Sequence, residues 1–168
     1  MVLQTVAETS IVSVSLEPVI ERFPACIYDI EEAGNCFATG CFTATVFHLM
    51  RVCELGLTSL ANAVNVDPGI SSWEKLLRKI REVLDAGSSS HPEGWKENEA
   101  FYSEAVSLMY NVKNAWRNSV AHGQKVYDEH RARRIFNAVE GLMAHLSSRL
   151  GEVEAPSVIV TAEPETNE

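Results

Sequence analysis

The chain has 168 residues and a formal net charge of −9, with 46% hydrophobic and 22% charged residues. These values are ordinary for a single globular domain that is long enough to bury a core. They disfavour binding to nucleic acid through overall charge, although a whole-chain sum can hide a local basic field. No run of about 18 apolar residues is present, so no membrane span is expected.

The N-terminal segment carries no helical pattern, and residues 1–12 are predicted to form a flexible arm. The stretch from Met1 to Leu16 lacks Lys and Arg and contains Glu8, which argues against a signal peptide. The spacing of the four cysteines matches no zinc-ligand pattern. We interpret all four as small buried residues in a reducing compartment, which predicts a cytoplasmic protein. They are Cys26, Cys36, Cys41 and Cys53.

The first helix is predicted to begin near Ser15, with Pro18 tolerated in its first turn. Apolar residues recur every three or four positions from Leu16 to Ile30. Pro24 lies inside this pattern without the amide that a helix interior needs, so it predicts a kink or a restart. The helix is expected to fade near Gly34.

The residues from Phe37 to Val64 form a long apolar run, which predicts a central helix buried on several sides. Its polar residues fall at spacings of three and four and therefore make one narrow stripe. This stripe either faces solvent or faces the Arg117–His122 motif described below, within the fold or across a dimer. The stripe consists of His48, Arg51, Glu54, Thr58 and Asn62.

A shorter amphipathic helix is predicted next. Ser71 and Glu74 have the spacing of a capping box, and apolar residues recur from Trp73 to Leu84. Residues 86–94 are rich in Gly, Ser and Pro and predict a loop.

Two further helices are predicted in the C-terminal half. One begins near Asn98 and runs toward Arg117, with Gly123 as its stop. The last carries apolar residues at helical spacing from Tyr127 to Leu150. Residues 13–150 are therefore predicted to form one helical domain, and the acidic residues 151–168 a disordered tail.

The junction between these two helices holds the sequence Arg117-Asn118-Ser119-Val120-Ala121-His122-Gly123. Arg117 is a permanent cation whose planar fork suits phosphate oxygens, and His122 belongs to the residue type that transfers protons near neutral pH. On a helix, Asn118 and His122 would share one face, with Arg117 about 140° around from His122. A simple capped helix end is the plainer interpretation of the same residues.

The motif also lies in the most basic part of the chain. Between residues 113 and 134, six basic residues face only Asp128 and Glu129, for a local charge of about +4. Either this is a solvated helix face, or it contacts phosphate groups. The basic residues are Lys113, Arg117, Lys125, Arg131, Arg133 and Arg134, of which Lys113, Lys125, Arg131 and Arg134 are predicted to contact RNA.

The Arg-Asn-x-x-x-His pattern, set between two amphipathic helices, resembles the signature of the HEPN family (higher eukaryotes and prokaryotes nucleotide-binding). The likeness extends over roughly Phe37 to Leu150, including the Arg51 and Glu54 pair and the helix that begins around Tyr127. These three residues are therefore candidates to support the motif. The position where some HEPN toxins carry a Tyr for regulatory modification is Gln124 here, which puts that regulation in doubt.

The resemblance implies an all-α bundle of four or five helices that forms a homodimer. It also implies a metal-independent endoribonuclease, a toxin or a defence component, with Arg117, Asn118 and His122 as catalytic residues. An antitoxin or a nucleotidyltransferase would be the partner chain. No cofactor and no metal are expected, because His48, His130 and His145 fit no common ligand motif.

Two other functions stay open at this point. A non-catalytic HEPN-like module, which binds another protein or a nucleotide, is favoured by the net charge of −9 and the acidic tail. A purely structural helical dimer would need neither Arg117 nor His122.

Overall fold

The computed structural model describes residues 16–70, 72–86, 95–114 and 126–152. Within these ranges every regular element is a helix, which confirms the predicted all-α class. In chain order the elements are α1 (Glu17–Arg22), a short 3₁₀ helix (Pro24–Cys26), α2 (Ile27–Ala38), α3 (Phe42–Ala63), α4 (Trp73–Asp85), α5 (Trp95–Val112) and α6 (Glu129–Ser147). The predicted arm, residues 1–12, lies outside the described residues.

Proline divides the first helical region as predicted. Pro18 lies in the first turn of α1, and the helix ends at Arg22. Phe23 leaves the helical conformation with φ −132°, after which Pro24 begins the 3₁₀ turn. The helix that restarts at Ile27 does not fade near Gly34, however, but continues to Ala38.

A turn at Gly40 separates α2 from α3 and corrects the prediction of one helical run from Phe37. Gly40 has a φ of +77°, a conformation that residues with a Cβ rarely adopt. Phe37 consequently belongs to the end of α2, and α3 begins at Phe42. The two phenylalanine rings pack edge to face across the turn, with centroids 5.4 Å apart.

Helix α3 is the centre of the bundle, as its apolar circumference predicts. It packs against α2, α5 and α6, and these neighbours bury its apolar residues. Phe47 is the exception, with 52% of its surface exposed. The buried hydrophobic residues of α3 are Val46, Leu49, Met50, Val52, Cys53, Leu57, Leu60 and Ala61.

Helix α4 packs on α5 through the predicted apolar face, which buries Trp73, Leu76, Leu77 and Ile80. The N-cap of this helix differs from the predicted Ser71. The N-cap residue is Ser72, which makes no side-chain capping bond, and Ser71 lies outside the described residues. The carboxylate of Glu74 pairs instead with the ammonium of Lys113 at the end of α5. Glu74, the second residue of the predicted capping box, thus has a charged partner on another helix.

Helix α6 begins with a side-chain cap. Asp128 accepts a hydrogen bond from the backbone amide of Arg131 at 2.8 Å. Near the other end, the ring of His145 stacks on Phe101 of α5 at 4.6 Å, and Nε2 lies 3.1 Å from the carbonyl of the same Phe101. His145 thus has the structural role that the sequence predicts.

The chain beyond α6 docks on the N-terminal helices for at least two residues past the predicted boundary at Leu150. Ser59 donates to the carbonyl of Gly151 at 2.6 Å. The amide of Glu152 donates to the carbonyl of Arg22, and its carboxylate accepts from the amide of Ala25 at 2.6 Å. Residues 153–168 of the predicted tail lie outside the described residues.

The cysteines divide into two pairs. Cys26 and Cys53 are buried, as predicted, and burial raises the pKa of Cys26 to about 12 and also raises the pKa of Cys53. Cys36 is half-buried and Cys41 is exposed, which the interpretation of all four as buried residues did not anticipate. Among the described residues, no helix combines the length and apolar character that crossing a membrane requires.

Two helical glycines provide a matched test of the core. A Cβ at Gly56 would lie 2.8 Å from atoms of both Leu146 and Met143, which are fully buried, whereas a Cβ at Gly141 would meet nothing within 4 Å. We expect Gly141→Ala to raise the free energy of unfolding by about 0.5–1 kcal/mol, through helix propensity alone. The Gly56→Ala variant gains the same stabilisation from helix propensity. Its free energy of unfolding should nevertheless fall, because overpacking costs about 1–3 kcal/mol.

Urea denaturation followed by circular dichroism measures both variants. Equal stabilisation of the two would contradict the close contact between α3 and α6.

Candidate functional site

Four of the predicted site residues, Arg117, Asn118, His122 and Lys125, lie outside the described residues. They belong to residues 115–125, named the motif segment below. The structure describes the residues on either side of this segment, and both sides are tied to other helices.

The N-terminal flank is fixed by an ion pair between a buried lysine and an exposed glutamate. Lys113 has only 7% of its side chain exposed, and its ammonium contacts the carboxylate of Glu74 on α4 and lies 5.7 Å from the ring centroid of Tyr110. Among the predicted RNA-binding residues that the structure describes, Lys113 alone is buried. Its charge is already compensated within the fold.

The C-terminal flank is fixed to the first turn of α3. The backbone amide of Tyr127 donates to the hydroxyl of Thr43 at 3.1 Å, and Tyr127 is buried. Val126, its neighbour, is 85% exposed. The chain thus leaves the motif segment with an exposed apolar residue and then turns into the core at Tyr127.

The first turns of α6 present exposed arginines next to this flank. Arg131, Arg133 and Arg134 are all exposed. Arg131 lies 3.8 Å from Asp128, and Arg133 lies 3.2 Å from Glu129. Salt bridges between exposed groups contribute little to stability. The guanidinium of Arg133 also lies 4.6 Å from the ring centroid of Phe37.

The predicted supporting residue Arg51 belongs to a different group. Its Nε donates to both carboxylate oxygens of Asp29 on α2, at 2.8 and 3.0 Å. Nδ1 of His48 also lies 2.8 Å from Asp29. Asp29 is buried, whereas Arg51 is half exposed, and the hydrogen bond and charge of Asp29 raise the pKa of Arg51. We call Asp29, His48 and Arg51 the Asp29 cluster.

The polar stripe of α3 therefore has two parts. His48 and Arg51 contact Asp29, whereas Glu54, the other predicted supporting residue of this helix, is exposed one turn further on. Sequence reasoning missed Asp29. Its signal was a carboxylate at helical spacing between the buried residues Cys26 and Ala33, a position that requires a partner.

Exposed aromatic residues flank the Asp29 cluster. Tyr28 is 64% exposed and Phe47 is 52% exposed. Both rings lie edge to face with the imidazole of His48, at centroid distances of 6.2 and 6.0 Å. Two exposed aromatic rings therefore border the polar Asp29 cluster at the protein surface.

One group of described residues could hold a metal ion. Ligand atoms of Glu32, Cys36 and His48 all lie within 4.8 Å of one another, and each residue is half-buried. The pKa of the Cys36 thiol is raised by burial and then by the nearby Cys41 and Glu32. Sequence reasoning missed this group because its members come from two helices, with no short ligand motif.

Comparison of the chain with family models, curated proteins and solved structures finds no match in any of the three. Function is therefore argued from the residues and their geometry.

The Asp29 cluster is testable by a matched pair of substitutions. Asp29→Ala removes the acceptor for two side chains and should lower the free energy of unfolding by about 1.5–3 kcal/mol, the range for hydrogen bonds to a charged group. Glu31→Ala, two positions away and exposed, should change it little. Thermal and urea denaturation of both variants measure the difference, and equal stability would mean that the cluster does not hold α2 to α3.

Proposed function

We propose that this protein is a HEPN-like helical bundle that acts, as a homodimer, as a metal-independent endoribonuclease. The observation that carries the proposal is the position of the Arg117-Asn118-x-x-x-His122 sequence in the chain. It lies between two helices whose adjoining ends are tied to α4 and α3, and next to exposed arginines of α6. Fixed flanks are what a catalytic segment requires, since small displacements cost much of the rate. A toxin or a defence component is the biological role that we propose.

The residue types account for each step of RNA cleavage through the 2′-hydroxyl. One His122 takes the 2′-hydroxyl proton as the oxygen attacks phosphorus. The P–O5′ bond then breaks, and a protonated His122 supplies a proton to the leaving 5′-oxygen. Arg117 stabilises the negative charge on the phosphorane oxygens, and Asn118 hydrogen-bonds the phosphate or orients the histidine. The products are a 2′,3′-cyclic phosphate and a 5′-hydroxyl.

The proposed dimer supplies the second histidine, because each chain has only one in the motif. A twofold axis would bring two copies of Arg117 and His122 to one groove. The apolar residues of α3 are nearly all covered within one chain and so do not by themselves require a dimer. The argument for a dimer therefore rests on the composite site and on the exposed Tyr28, Phe47 and Val126.

The assembly is tested first. Light scattering at micromolar concentration should give about twice the mass of the 18.6 kDa chain. A monomer at concentrations where RNA is cleaved would eliminate the composite site.

Cleavage is tested with paired histidine variants. His122→Ala should abolish cleavage of single-stranded or structured RNA, because it removes the proposed proton-transfer group. His130→Ala, an exposed histidine on α6, is the matched control and should retain full activity. Arg117→Ala should slow cleavage by about 10²–10³-fold, as for loss of an oxyanion donor. Initial rates on labelled RNA and mass spectrometry of the product ends provide the readouts.

The same assay also tests whether cleavage depends on a metal ion and which product ends it leaves. EDTA should leave the rate unchanged and the ends should be cyclic phosphate and hydroxyl. Cleavage that requires magnesium, or that survives His122→Ala, would refute the proposed chemistry.

A second candidate, a non-catalytic HEPN-like module that binds a protein or a nucleotide, is favoured by one specific observation. The positive charge near the motif is partly compensated, because Lys113 pairs with Glu74 and Arg133 pairs with Glu129. An antitoxin or a nucleotidyltransferase would be the partner chain. An intact dimer that cleaves no RNA would favour this function over the nuclease.

A further inference from the structure

The antiparallel pairing of α2 with α3 brings together three residues with metal-binding side chains, which are Glu32 and Cys36 of α2 and His48 of α3. Asp29, Glu32 and Cys36 are spaced by three and four positions and so lie on one face of α2. His48 of α3 contacts the same face through Asp29. The ligand atoms of Glu32, Cys36 and His48 lie within 4.8 Å of one another.

We propose that Glu32, Cys36 and His48 bind a zinc ion, with water or an exogenous ligand in the fourth position. Thiolate, imidazole and carboxylate are the three side-chain ligands that zinc takes in proteins, and three protein ligands with one open position are typical of its reactive sites. A thiolate with an imidazole also disfavours magnesium and calcium, which prefer oxygen ligands. The inference stands apart from the proposed ribonuclease activity and uses none of the motif residues.

Asp29 prepares His48 to act as a ligand. Its carboxylate contacts Nδ1 at 2.8 Å, so Nε2 is the ring nitrogen that remains for the ion. A carboxylate on the other nitrogen of a metal-bound histidine holds the ring orientation and increases ligand basicity. Arg51 holds this carboxylate in turn, with two hydrogen bonds from its Nε. The Asp29 cluster thus supplies the outer hydrogen bonds that zinc sites require.

Glu32 is also held in place before any ion binds. Asn35 donates to Oε1 of Glu32 at 3.2 Å, which restrains that carboxylate. Zinc–ligand bonds of about 2.0–2.3 Å place tetrahedral ligand atoms about 3.3–3.8 Å apart. Side-chain rotations that move the ligand atoms by roughly 1 Å would therefore close the group onto an ion. Binding displaces the thiol proton of Cys36 to solvent and leaves the thiolate on zinc.

The surrounding charges favour a cation at this position. Asp29, Glu32 and a Cys36 thiolate would place three negative charges within two turns of α2, and Arg51 opposes only the first of them directly. A divalent ion offsets the other two. Since its ligands come from both helices, the ion would also cross-link α2 to α3.

Zinc binding is tested on the full, reduced chain with Zn²⁺ alone. Competition with a chromogenic chelator should give one ion per chain at saturation, and Co²⁺ should produce the near-ultraviolet charge-transfer band of a cobalt–thiolate bond. Cys36→Ser should abolish that band, and Asp29→Asn should weaken zinc binding by about 10–100-fold through loss of the histidine's outer partner. Circular dichroism checks that each variant is folded.

Two neighbouring residues provide matched controls. Cys41→Ser removes the other accessible thiol and Glu31→Gln removes the adjacent carboxylate, and both should bind zinc as the unmodified chain does. A readout without any substitution is alkylation mapped by mass spectrometry, in which Zn²⁺ should protect Cys36 and leave Cys41 reactive. Absence of saturable binding, equal affinity in Cys36→Ser, or equal protection of both cysteines would overturn the proposal.

Discussion

Burial of α3 on several sides is the constraint on which the rest of the bundle depends. Gly56 allows α6 to approach so closely that an added Cβ would contact Leu146 and Met143 at 2.8 Å. Close packing of this kind leaves little freedom for the position of α6. The first turns of α6 then carry Arg131 and Arg134, which are exposed and follow the motif segment in the chain. The basic surface is therefore a consequence of how the core packs.

Polar contacts between one buried and one exposed partner add the specificity that apolar packing lacks. Asp29 ties α2 to α3, Glu74 ties α4 to Lys113 at the end of α5, and Thr43 receives the amide of Tyr127. Two of these three contacts flank the motif segment directly. A buried polar group without its partner is costly, so each contact selects one arrangement of its helices. The proposed nuclease would use this order to hold Arg117 and His122 for catalysis.

The Asp29 cluster contributes both to the packing of α2 on α3 and to the proposed zinc site. The same carboxylate that joins the helices also orients His48 toward a role as a zinc ligand. Exposed Tyr28 and Phe47 surround this imidazole and offer a contact surface. The proposed zinc site and the proposed nuclease site use different residues. Substitutions can therefore eliminate either site without eliminating the other.

The sequence by itself determined the helical class, the apolar faces of α3, α4 and α6, and the break at Pro24, because periodicity and proline chemistry are local properties. It also determined the motif, whose residues are consecutive. It did not determine that Gly40 separates α2 from α3, because a lone glycine is compatible with a helix until tertiary packing selects its positive φ. Only the tertiary structure decided that Lys113 pairs with Glu74 and that Asp29, Glu32 and Cys36 meet His48. Those contacts join residues far apart in the chain, and helical spacing specifies the face of each residue but not its partner on another helix.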